Sequence, residues 1–502
     1  MNRLAMMRQS NGLHSTAGKM SFVRVLLIAL GMLAIGCTVD QDKEVAQYRA
    51  VLDGQKKAPP VNIKPGDPLS LEAALLLANR NSENLAISGE DYVQALIDKE
   101  RAFSNFLPTV NFQPTLNWTN VHHLGGSSST VISGSGFATA LHQANYDVPL
   151  AARYNLFHSF ADVANLRRAG YTADQRRALL LDLQQTVLLD VATTYYQILT
   201  NERSVEVLKN SVSVQEERVR DMEGRQRAGI ARPLDVAQTQ AQASSTRVQL
   251  IQAQNNVRNA RQLIAFLTTA AVQDSPLIDR LLVPKDLMTP DQAVHMAQET
   301  RQDARAAEAA MEASRQNVQA AIAQWYPSVT LDLNYFLKRF TGGPIEWTGA
   351  LQMSLPIFNG GQIHADVRTA WSQLRQAYLS QQQTRRQIAE QVQIAYENVI
   401  DSNRRIAELH VEVAAAAEAL RQAESAYAAG LGTNLDRITA QDQLLSAQLS
   451  LASEEFNYKV VYLNLLRSMG RLPLPETLGP PPGTPTSRPT TAETQTPGPV
   501  RR

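Results

Sequence analysis

Residues 106–118, FLPTVNFQPTLNW, return in altered form at residues 325–337, WYPSVTLDLNYFL, at an offset of 219 residues. Both stretches open on an aromatic residue, carry a proline at the third position and then alternate apolar with polar side chains. A period of two is typical of a β-strand with one apolar face. The recurrence indicates an internal repeat, which has to be traced before any local motif is interpreted.

The repeat extends over most of the chain. Residues 154–169, YNLFHSFADVANLRRA, match residues 355–370, LPIFNGGQIHADVRTA, and the turn GIARPLD at 229–235 matches GLGTNLD at 430–436, both at an offset of 201 residues. The difference of 18 residues between the two offsets corresponds to a longer loop in the first copy, HHLGGSSSTVISGSG. Each copy then has the same order: helix, two strands, a very long helix, a turn and another helix.

The helices have clear start signals and unusual lengths. Ser70 and Thr289 occupy equivalent N-cap positions. In the second copy Pro290 stands at the first helical position, and Gln292 completes a capping box. No proline interrupts 161–228 or 362–429. At 1.5 Å per residue each of these helices is about 100 Å long. Apolar residues recur every seven positions in the first of them, as in coiled coils: Val191, Ile198, Val205, Val212 and Val219.

Four shorter helices are each about half as long, over 71–106, 235–267, 291–325 and 436–470. Two of them end to end match one long helix. We therefore expect 235–267 to stack on 291–325 and 436–470 to stack on 71–106, within a bundle or hollow barrel of helices.

Four alternating stretches of about ten residues have the length of tilted strands that cross a bilayer. A soluble amphipathic sheet is the alternative interpretation. Sheet edges cannot stay open in lipid, and four strands do not close a barrel, so the membrane interpretation requires two or three copies of the chain. The residues expected to face lipid are Val110, Phe112, Leu116, Trp118, Tyr146, Val148, Leu150, Tyr154, Val329, Leu331, Leu333, Tyr335, Trp347, Leu351, Met353 and Leu355.

Composition excludes several classes of function. The chain has 502 residues, a formal net charge of +1 and one cysteine, which argues against polyanion binding, an internal disulfide framework and cysteine-rich metal sites. Phosphate-loop, HExxH and Gly-x-Ser-x-Gly motifs are absent from the sequence, so we expect no enzyme, no catalytic residues and no cofactor. His122 and His123 with His142 suggest a metal site, but adjacent strand residues point to opposite faces, and a solvated loop is the favoured interpretation.

The N-terminal region reads as an export signal. An apolar run over 25–35 follows Arg24 and is too short to span a bilayer as a helix. The residues before Cys37 resemble a bacterial lipobox, which implies lipidation of Cys37, and Thr38 after it implies sorting to the outer membrane. A conventional signal peptide with an incidental cysteine is the alternative, and Met20 is a second candidate start.

These signals divide the chain into six segments. We expect a signal peptide over 1–36, a lipidated linker over 37–68, a first repeat over 69–268, a connector over 269–288 and a second repeat over 289–475. Residues 476–502 are rich in proline and threonine and are expected to be disordered.

The order of these motifs resembles that of the TolC-like outer-membrane efflux proteins over about residues 40–475. The resemblance rests on the repeated strand pairs and long helices and on the turns that run from Gly to Leu-Asp. It also rests on the motifs LPTV and YPSV, which open the strands, and LFHS and IFNGG, which close them. The resemblance implies a predominantly helical α+β fold and a homotrimer. Four strands per chain would build one twelve-stranded barrel in the outer membrane of a Gram-negative-type cell, and the helices would form a periplasmic tunnel, or α-barrel.

The resemblance also implies a role: an outer-membrane channel of a tripartite efflux or secretion system, which conducts solutes passively from a periplasmic adaptor protein and an inner-membrane pump. A periplasmic coiled-coil structural or adaptor lipoprotein without a pore is the alternative from another class. A periplasmic enzyme is the third candidate, and no polar cluster in the sequence supports it.

In that family the turns after the long helices form the periplasmic tip. The resemblance implies that Tyr427 and Asp235 hold the closed aperture and that Asp436 lines the entrance, although both carboxylates also suit helix N-capping. Gly432 and Thr439 depart from the arginine and aspartate found there in the family, and Arg232 or Arg437 is a candidate substitute. The turn residues expected to receive the adaptor are Gly229, Ile230, Leu234, Gly430, Leu431 and Leu435.

Overall fold

The computed structural model describes residues 39–54, 66–120, 142–284, 286–339 and 346–472, without the side chains of 117–120, 142–146 and 338–339. The helices there are α1 (Gln41–Leu52), α2 (Leu71–Asn81), α3 (Glu83–Ser104), α4 (Ala161–Arg227), α5 (Pro233–Thr268), α6 (Pro290–Thr300), α7 (Gln302–Ala323), α8 (Gln362–Ala428) and α9 (Asn434–Ser468). The strands are β1 (Leu69–Ser70), β2 (Thr109–Phe112), β3 (Thr115–Asn120), β4 (His142–His158), β5 (Leu277–Ile278), β6 (Ser328–Arg339) and β7 (Trp347–Ser354).

The two long helices are confirmed: α4 and α8 each have 67 residues. Each runs without a break because its sequence contains no proline, and each is followed by a glycine in the left-handed region, Gly229 (φ 76°) and Gly430 (φ 73°). No helix in the described ranges combines the length and apolarity that crossing a bilayer requires.

Both predicted N-caps are also confirmed. The Ser70 hydroxyl accepts from the Ala73 N–H at 3.2 Å. The Thr289 hydroxyl accepts from the Gln292 N–H at 3.4 Å, and the Gln292 side chain accepts from the Thr289 N–H at 3.2 Å. These bonds satisfy amide groups that the first turn of a helix leaves free.

The helices predicted over 71–106 and 291–325 are each broken once, so the prediction of continuous helices was wrong. Ser82 (ψ 120°) separates α2 from α3, and Arg301 (ψ 136°) separates α6 from α7. The two residues are equivalent in the repeat. Each is a single extended residue, and the apolar period resumes directly after it, so the sequence pattern does not reveal the break.

The short helices also stack differently from the prediction. The end of α5 meets α2, where the Asn81 amide donates to the Thr268 carbonyl at 3.0 Å. The end of α9 meets α6, where the Thr300 hydroxyl donates to the Met469 carbonyl. Each stack therefore forms within one repeat. The connector between the repeats accounts for this difference. Its strand β5 pairs in parallel with β1, which directly precedes α2, so the connector returns to the start of the first repeat before α6 begins.

The helices form four columns side by side. The stacked helices α3 and α5 form the first column, α4 the second, α7 and α9 the third, and α8 the fourth. The second column packs against the first and third, and the fourth packs against the third. The first and fourth columns are therefore the open sides of the single chain.

Strands β2, β3, β4, β6 and β7 form one antiparallel sheet at the end of the columns where α4 and α8 begin. Its order is β2, β4, β6, β7, and β3 also pairs with β4. The first alternating stretch, which contains Val110, Phe112, Leu116 and Trp118, is interrupted at Pro114 and forms both β2 and β3. Proline lacks the N–H that a strand ladder needs. Both outer edges of the sheet, β2 with β3 and β7, have no further strand beside them in the described part of the chain.

The main core lies where the stacked columns meet. Tyr195 is buried there, and its hydroxyl accepts from the Ile278 N–H at 2.9 Å, beside the β1–β5 pair. Helix α1, which the sequence patterns did not predict, packs on this core: the Leu52 carbonyl accepts from the Gln184 amide at 2.8 Å. The Tyr48 ring lies over Gly89, where a Cβ atom would approach it to 2.4 Å.

Candidate functional site

The candidate site is the end of the columns farthest from the sheet, where two helical hairpins turn. In both turns a backbone bond closes the long helix around its glycine: Ile230 N–H donates to the Arg225 carbonyl at 2.9 Å, and Leu431 N–H donates to the Ala426 carbonyl at 2.8 Å. The two turns are therefore equivalent in structure as well as in sequence.

The turn surface carries exposed apolar side chains. Ile230 is 76% exposed and Leu431 is 87% exposed, and Leu234 and Leu435 behind them are also exposed. These four residues lie at equivalent positions of the two turns. A repeated apolar surface at the end of a polar rod is typical of a protein contact.

Asp235 caps the helix that follows the first turn. Its carboxylate accepts from the Arg232 N–H at 3.3 Å and from the Arg232 guanidinium at 2.9 and 3.0 Å. The hydrogen bonds from Arg232 lower the pKa of Asp235. Asp235 thus stabilises the start of α5, as the sequence suggested, and Arg232 is the residue that donates to it.

Asp436 does the same at the second turn. Its carboxylate accepts from the Thr433 N–H at 2.8 Å and from the Thr433 hydroxyl at 2.7 Å. The Thr433 hydroxyl in turn accepts from the Asp436 N–H at 3.2 Å. These bonds lower the pKa of Asp436, the hydroxyl contributing most.

Tyr427 lies between two cations instead of beside either carboxylate. The guanidinium carbons of Arg437 and Arg225 lie 4.5 and 5.6 Å from its ring centroid. Its hydroxyl donates to the sulfur of the buried Met222 at 3.4 Å. The structure therefore places Tyr427 on Arg437, one of the two arginines considered from the sequence.

Asn434 joins the two hairpins, a contact that sequence reasoning missed. It is 2% exposed, and its amide donates to the Asp235 carbonyl at 3.2 Å and to the Thr239 hydroxyl at 3.1 Å. Its own carbonyl accepts from Arg437 at 3.0 Å. The repeat offered a signal for this contact. The residue equivalent to Asn434 in the first turn is Pro233, which has no side-chain amide, so the two turns differ at this position.

Arg437 is a buried cation without a carboxylate partner among the described residues. It is 8% exposed, and its Nε–H has no hydrogen-bond partner in that part of the chain. Burying an unpaired charge is unfavourable, so its position needs the Tyr427 ring and the Asn434 carbonyl. We call Asn434, Arg437, Tyr427 and Met222 the tip latch, because together they connect the first hairpin to the second.

Further contacts between the hairpins lie above the tip latch. Arg218 of α4 forms an ion pair with Glu424 of α8, and the Gln242 amide donates to the Asp442 carboxylate at 2.5 Å. A cavity of about 590 Å³ lies between α4, α8 and α9 and is lined partly by Arg218, Glu424 and Gln441. The cavity thus lets solvent reach between the two hairpins, next to the Arg218–Glu424 ion pair.

The sheet is the second candidate site, and its apolar side chains form rows across the strands. Phe112 lies opposite Leu150, Leu150 opposite Tyr335, and Tyr335 opposite Trp347. Directly opposed residues share a face. All four side chains are exposed in the single chain, as are Val110, Leu116, Tyr154, Leu333, Leu351, Met353 and Leu355, whereas Val148, Val329 and Leu331 are half-buried.

The other face of the sheet is polar. Arg153 donates to the Asp332 carboxylate at 2.6 Å, and Asn334 lies opposite Thr348. One face of the sheet therefore suits hydrocarbon and the other suits water.

Several predicted residues lie outside this description. Cys37, His122 and His123 are not among the described residues, and for Trp118, Tyr146 and His142 only the backbone is described. The predicted signal peptide and the predicted C-terminal tail over 476–502 likewise lie outside it.

Several known outer membrane proteins are similar to this chain. TtgC of Pseudomonas putida, a probable efflux pump outer membrane protein, is 26% identical over 311 residues, which are 57% of this chain and 61% of TtgC. The chain thus spans about three fifths of that relative. The outer membrane protein TolC of Escherichia coli is 23% identical over 347 residues, 64% of this chain and 69% of TolC.

The fold has a counterpart in a solved structure. The outer membrane protein VceC of Vibrio cholerae superposes with a TM-score of 0.70 at 21% identity, over 80% of this chain and 96% of VceC. This likeness confirms the predominantly helical α+β fold with long paired helices. The family model described as outer membrane efflux protein matches residues 75–269 and 293–471, which include both long helices and both hairpin turns. The chain belongs to the outer membrane efflux protein family.

Proposed function

We propose that the chain is the outer-membrane channel of a tripartite efflux or secretion system, and that it conducts solutes passively. The observation that carries the proposal is the sheet, whose one face presents exposed apolar rows and whose other face is polar. A soluble adaptor lipoprotein would bury such rows against a core. The exposed rows therefore argue against the alternative without a pore.

Closure of the channel requires more copies of the chain. The sheet has two open edges, and a strand edge in lipid leaves backbone groups unpaired at a cost of several kcal/mol each. The open columns also expose apolar residues, among them Trp371 and Tyr378 on α8 and Val248 and Ile251 on α5. A homotrimer of twelve strands joins these edges, with the fourth column of one copy against the first column of the next. The helices of the three copies then form the α-barrel.

The partners follow from the two ends of the molecule. The exposed apolar residues of the turns receive a periplasmic adaptor protein, which connects the channel to an inner-membrane pump. The pump supplies the energy, and the channel itself needs no catalytic residue. The two repeats, 69–268 and 289–475, each contribute one hairpin to the tip.

A lipid on Cys37 adds an anchor in the outer membrane. The Leu52 carbonyl at the end of α1 accepts from Gln184, about 35 Å along α4 from the sheet. Tyr48, about one turn earlier, packs on Gly89 of α3, which leads from there to the sheet, so α1 begins nearer to the sheet than it ends. The first residue of α1, Gln41, is therefore on the membrane side of this helix and lies only four positions after Cys37. Cys37→Ala is expected to abolish incorporation of radiolabelled palmitate, whereas retained label contradicts the anchor.

Single-channel recording tests the function as a whole. Purified protein reconstituted in planar bilayers is expected to give discrete conductance steps. A sample that shows none, and that stays in solution without detergent after Cys37→Ala, supports the adaptor alternative.

A further inference from the structure

The turn between β4 and α4 holds two non-glycine residues in the left-handed region, Ser159 (φ 53°) and Phe160 (φ 61°). The equivalent residues of the second repeat are Gly360 (φ 67°) and Gly361 (φ 85°). Glycine adopts such angles freely, whereas a bulky side chain does so only with strain. The first repeat therefore keeps a serine and a phenylalanine where the backbone favours glycine.

Ser159 has a structural reason to be there. It is buried, and its hydroxyl lies 2.9 Å from the Tyr326 carbonyl and 2.7 Å from the Pro327 carbonyl. It thus ties the first repeat to the second. Phe160 has no such burial, since 70% of it is exposed. A strained residue that contributes little to the core points to a contact outside the chain.

The side of the sheet on which Phe160 lies follows from a β-bulge. The pairing of β4 with β6 shifts between Asn155 and Phe157, so that Phe157 lies opposite Val329. Val329 in turn lies opposite Met353, on the apolar face. The Phe160 ring packs edge-on against Phe157, with the ring centroids 5.2 Å apart and the planes at 90°. Phe160 therefore extends the apolar face beyond the end of the strand.

Other exposed apolar residues surround the same end of the sheet. Trp325 and Tyr326 precede β6, and Ile357 and Phe358 follow β7, and all four are exposed. This end is where the strands join the long helices. Aromatic residues at the boundary of an apolar band are suited to the headgroup region of a bilayer, where the ring contacts both acyl chains and water.

We propose that Phe160 is a membrane-interface anchor, whose ring inserts at the boundary between headgroups and acyl chains in the periplasmic leaflet of the outer membrane. The proposal rests on the proposed function, because it requires the apolar face of the sheet to be in lipid. The anchor fixes the depth at which the helical columns leave the bilayer, and it accounts for the left-handed phenylalanine.

Depth-dependent quenching tests the proposal on the full chain. In a Cys37→Ser background, the variants Phe160→Cys, Leu351→Cys and Phe266→Cys are labelled with an NBD fluorophore and reconstituted in phosphatidylcholine–phosphatidylglycerol vesicles with lipids that carry a nitroxide near the headgroup. Leu351 is an exposed residue of the apolar face, and Phe266 is an exposed phenylalanine of α5, far from the sheet. We expect the probe at 160 to be blue-shifted and quenched severalfold more than the probe at 266.

The three positions separate the possible outcomes. Quenching at 351 with none at 160 overturns the anchor and leaves the proposed function standing. Absence of quenching at both overturns the membrane sheet and the anchor together. Because labelling at 160 risks misfolding, Phe160→Trp in the intact chain gives a second measurement. Brominated lipids are expected to quench its fluorescence more than that of the unmodified protein, and equal quenching contradicts the anchor.

Discussion

The guanidinium of Arg437 packs on the ring of Tyr427, 4.5 Å from its centroid, although neither residue contacts the carboxylates of Asp235 or Asp436. Both belong to the second hairpin, and Arg437 is bonded to Asn434, which reaches the first hairpin. Near the turns, the two hairpins are thus joined through a cation–π contact and one buried amide. Each carboxylate caps its own helix.

Loss of the Tyr427 ring is expected to loosen the tip. Tyr427→Ala removes the surface on which Arg437 packs and the contact with Met222, so the single-channel conductance should rise. Tyr427→Phe keeps the ring and should stay near the unmodified value. Equal conductance of the alanine variant and the unmodified protein in planar bilayers argues against the tip latch.

Replacement of Arg437 by methionine separates gating from stability. Arg437→Met removes a buried cation that has no carboxylate partner among the described residues but keeps a side chain of similar length. Burying an unpaired charge is costly, and an apolar side chain does not carry that cost. We therefore expect an unchanged or higher thermal midpoint together with a higher conductance. A lower midpoint with unchanged conductance would mean that Arg437 serves only the fold.

Asn434→Ala is expected to separate the hairpins. The change removes the bonds from the Asn434 amide to the Asp235 carbonyl and the Thr239 hydroxyl, which stay bonded to each other. It also removes the Asn434 carbonyl that accepts from the buried Arg437 guanidinium, at a cost of about 1–3 kcal/mol. Trypsin cleavage after the exposed Arg227, at the end of α4 beside the first turn, should become about tenfold faster, since 1.4 kcal/mol corresponds to a factor of ten. Thr439→Ala is the matched control, because the Thr439 hydroxyl bonds only to its own helix, at Leu435. Equal cleavage rates in the two variants contradict the role of Asn434.

Acid is expected to weaken both hairpin turns. The pKa of Asp235 and that of Asp436 are lowered in the folded chain, so each carboxylate binds protons more readily after unfolding. Their stabilisation is present above the unfolded pKa of about 3.9 and is lost as the pH falls through the lower folded values. Between pH 5 and pH 3 the thermal midpoint should fall more in the unmodified protein than in Asp235→Asn/Asp436→Asn. Parallel decreases would exclude this linkage.

The two faces of β7 should respond differently to charge. Leu351→Arg places a cation on the apolar face, at a cost of about 2–4 kcal/mol near the bilayer midplane. Gln352→Arg places the same charge on the polar face and should cost much less. Urea titration of vesicle-inserted protein measures the difference, and equal destabilisation by the two variants contradicts the assignment of the faces.

The sequence predicted the repeat and its long helices because both depend on local signals. Glycine ends a helix, and Thr289 with Gln292 starts one, by interactions within a few residues. The breaks at Ser82 and Arg301 have no such signal. Arg301 adopts an extended backbone where its guanidinium donates to Asp303, close in sequence, and to the Ser468 carbonyl, 167 residues away. Tertiary contacts of this kind are invisible to helical periodicity.

The sequence predicted where the two hairpin turns lie, but it did not predict which side chains contact each other there. The matching turns located both hairpins, and the family resemblance pointed to Tyr427, Asp235 and Asp436. Which groups meet depends on how α9 lies against α4 and α5, and helix lengths do not contain that information. The stacking of the short helices was predicted wrongly for the same reason. It depends on the path of the connector, which is set by the parallel pairing of Leu69 with Leu277.

Native mass spectrometry of the protein extracted from outer membranes tests the central claim most directly. The open edges of the sheet and of the columns require more than one copy of the chain in one particle. The proposed homotrimer predicts the mass of a trimer that disperses only with detergent or lipid. A monomer that remains in solution without detergent would contradict it, because the exposed apolar rows of β2, β4, β6 and β7 would then face no hydrocarbon.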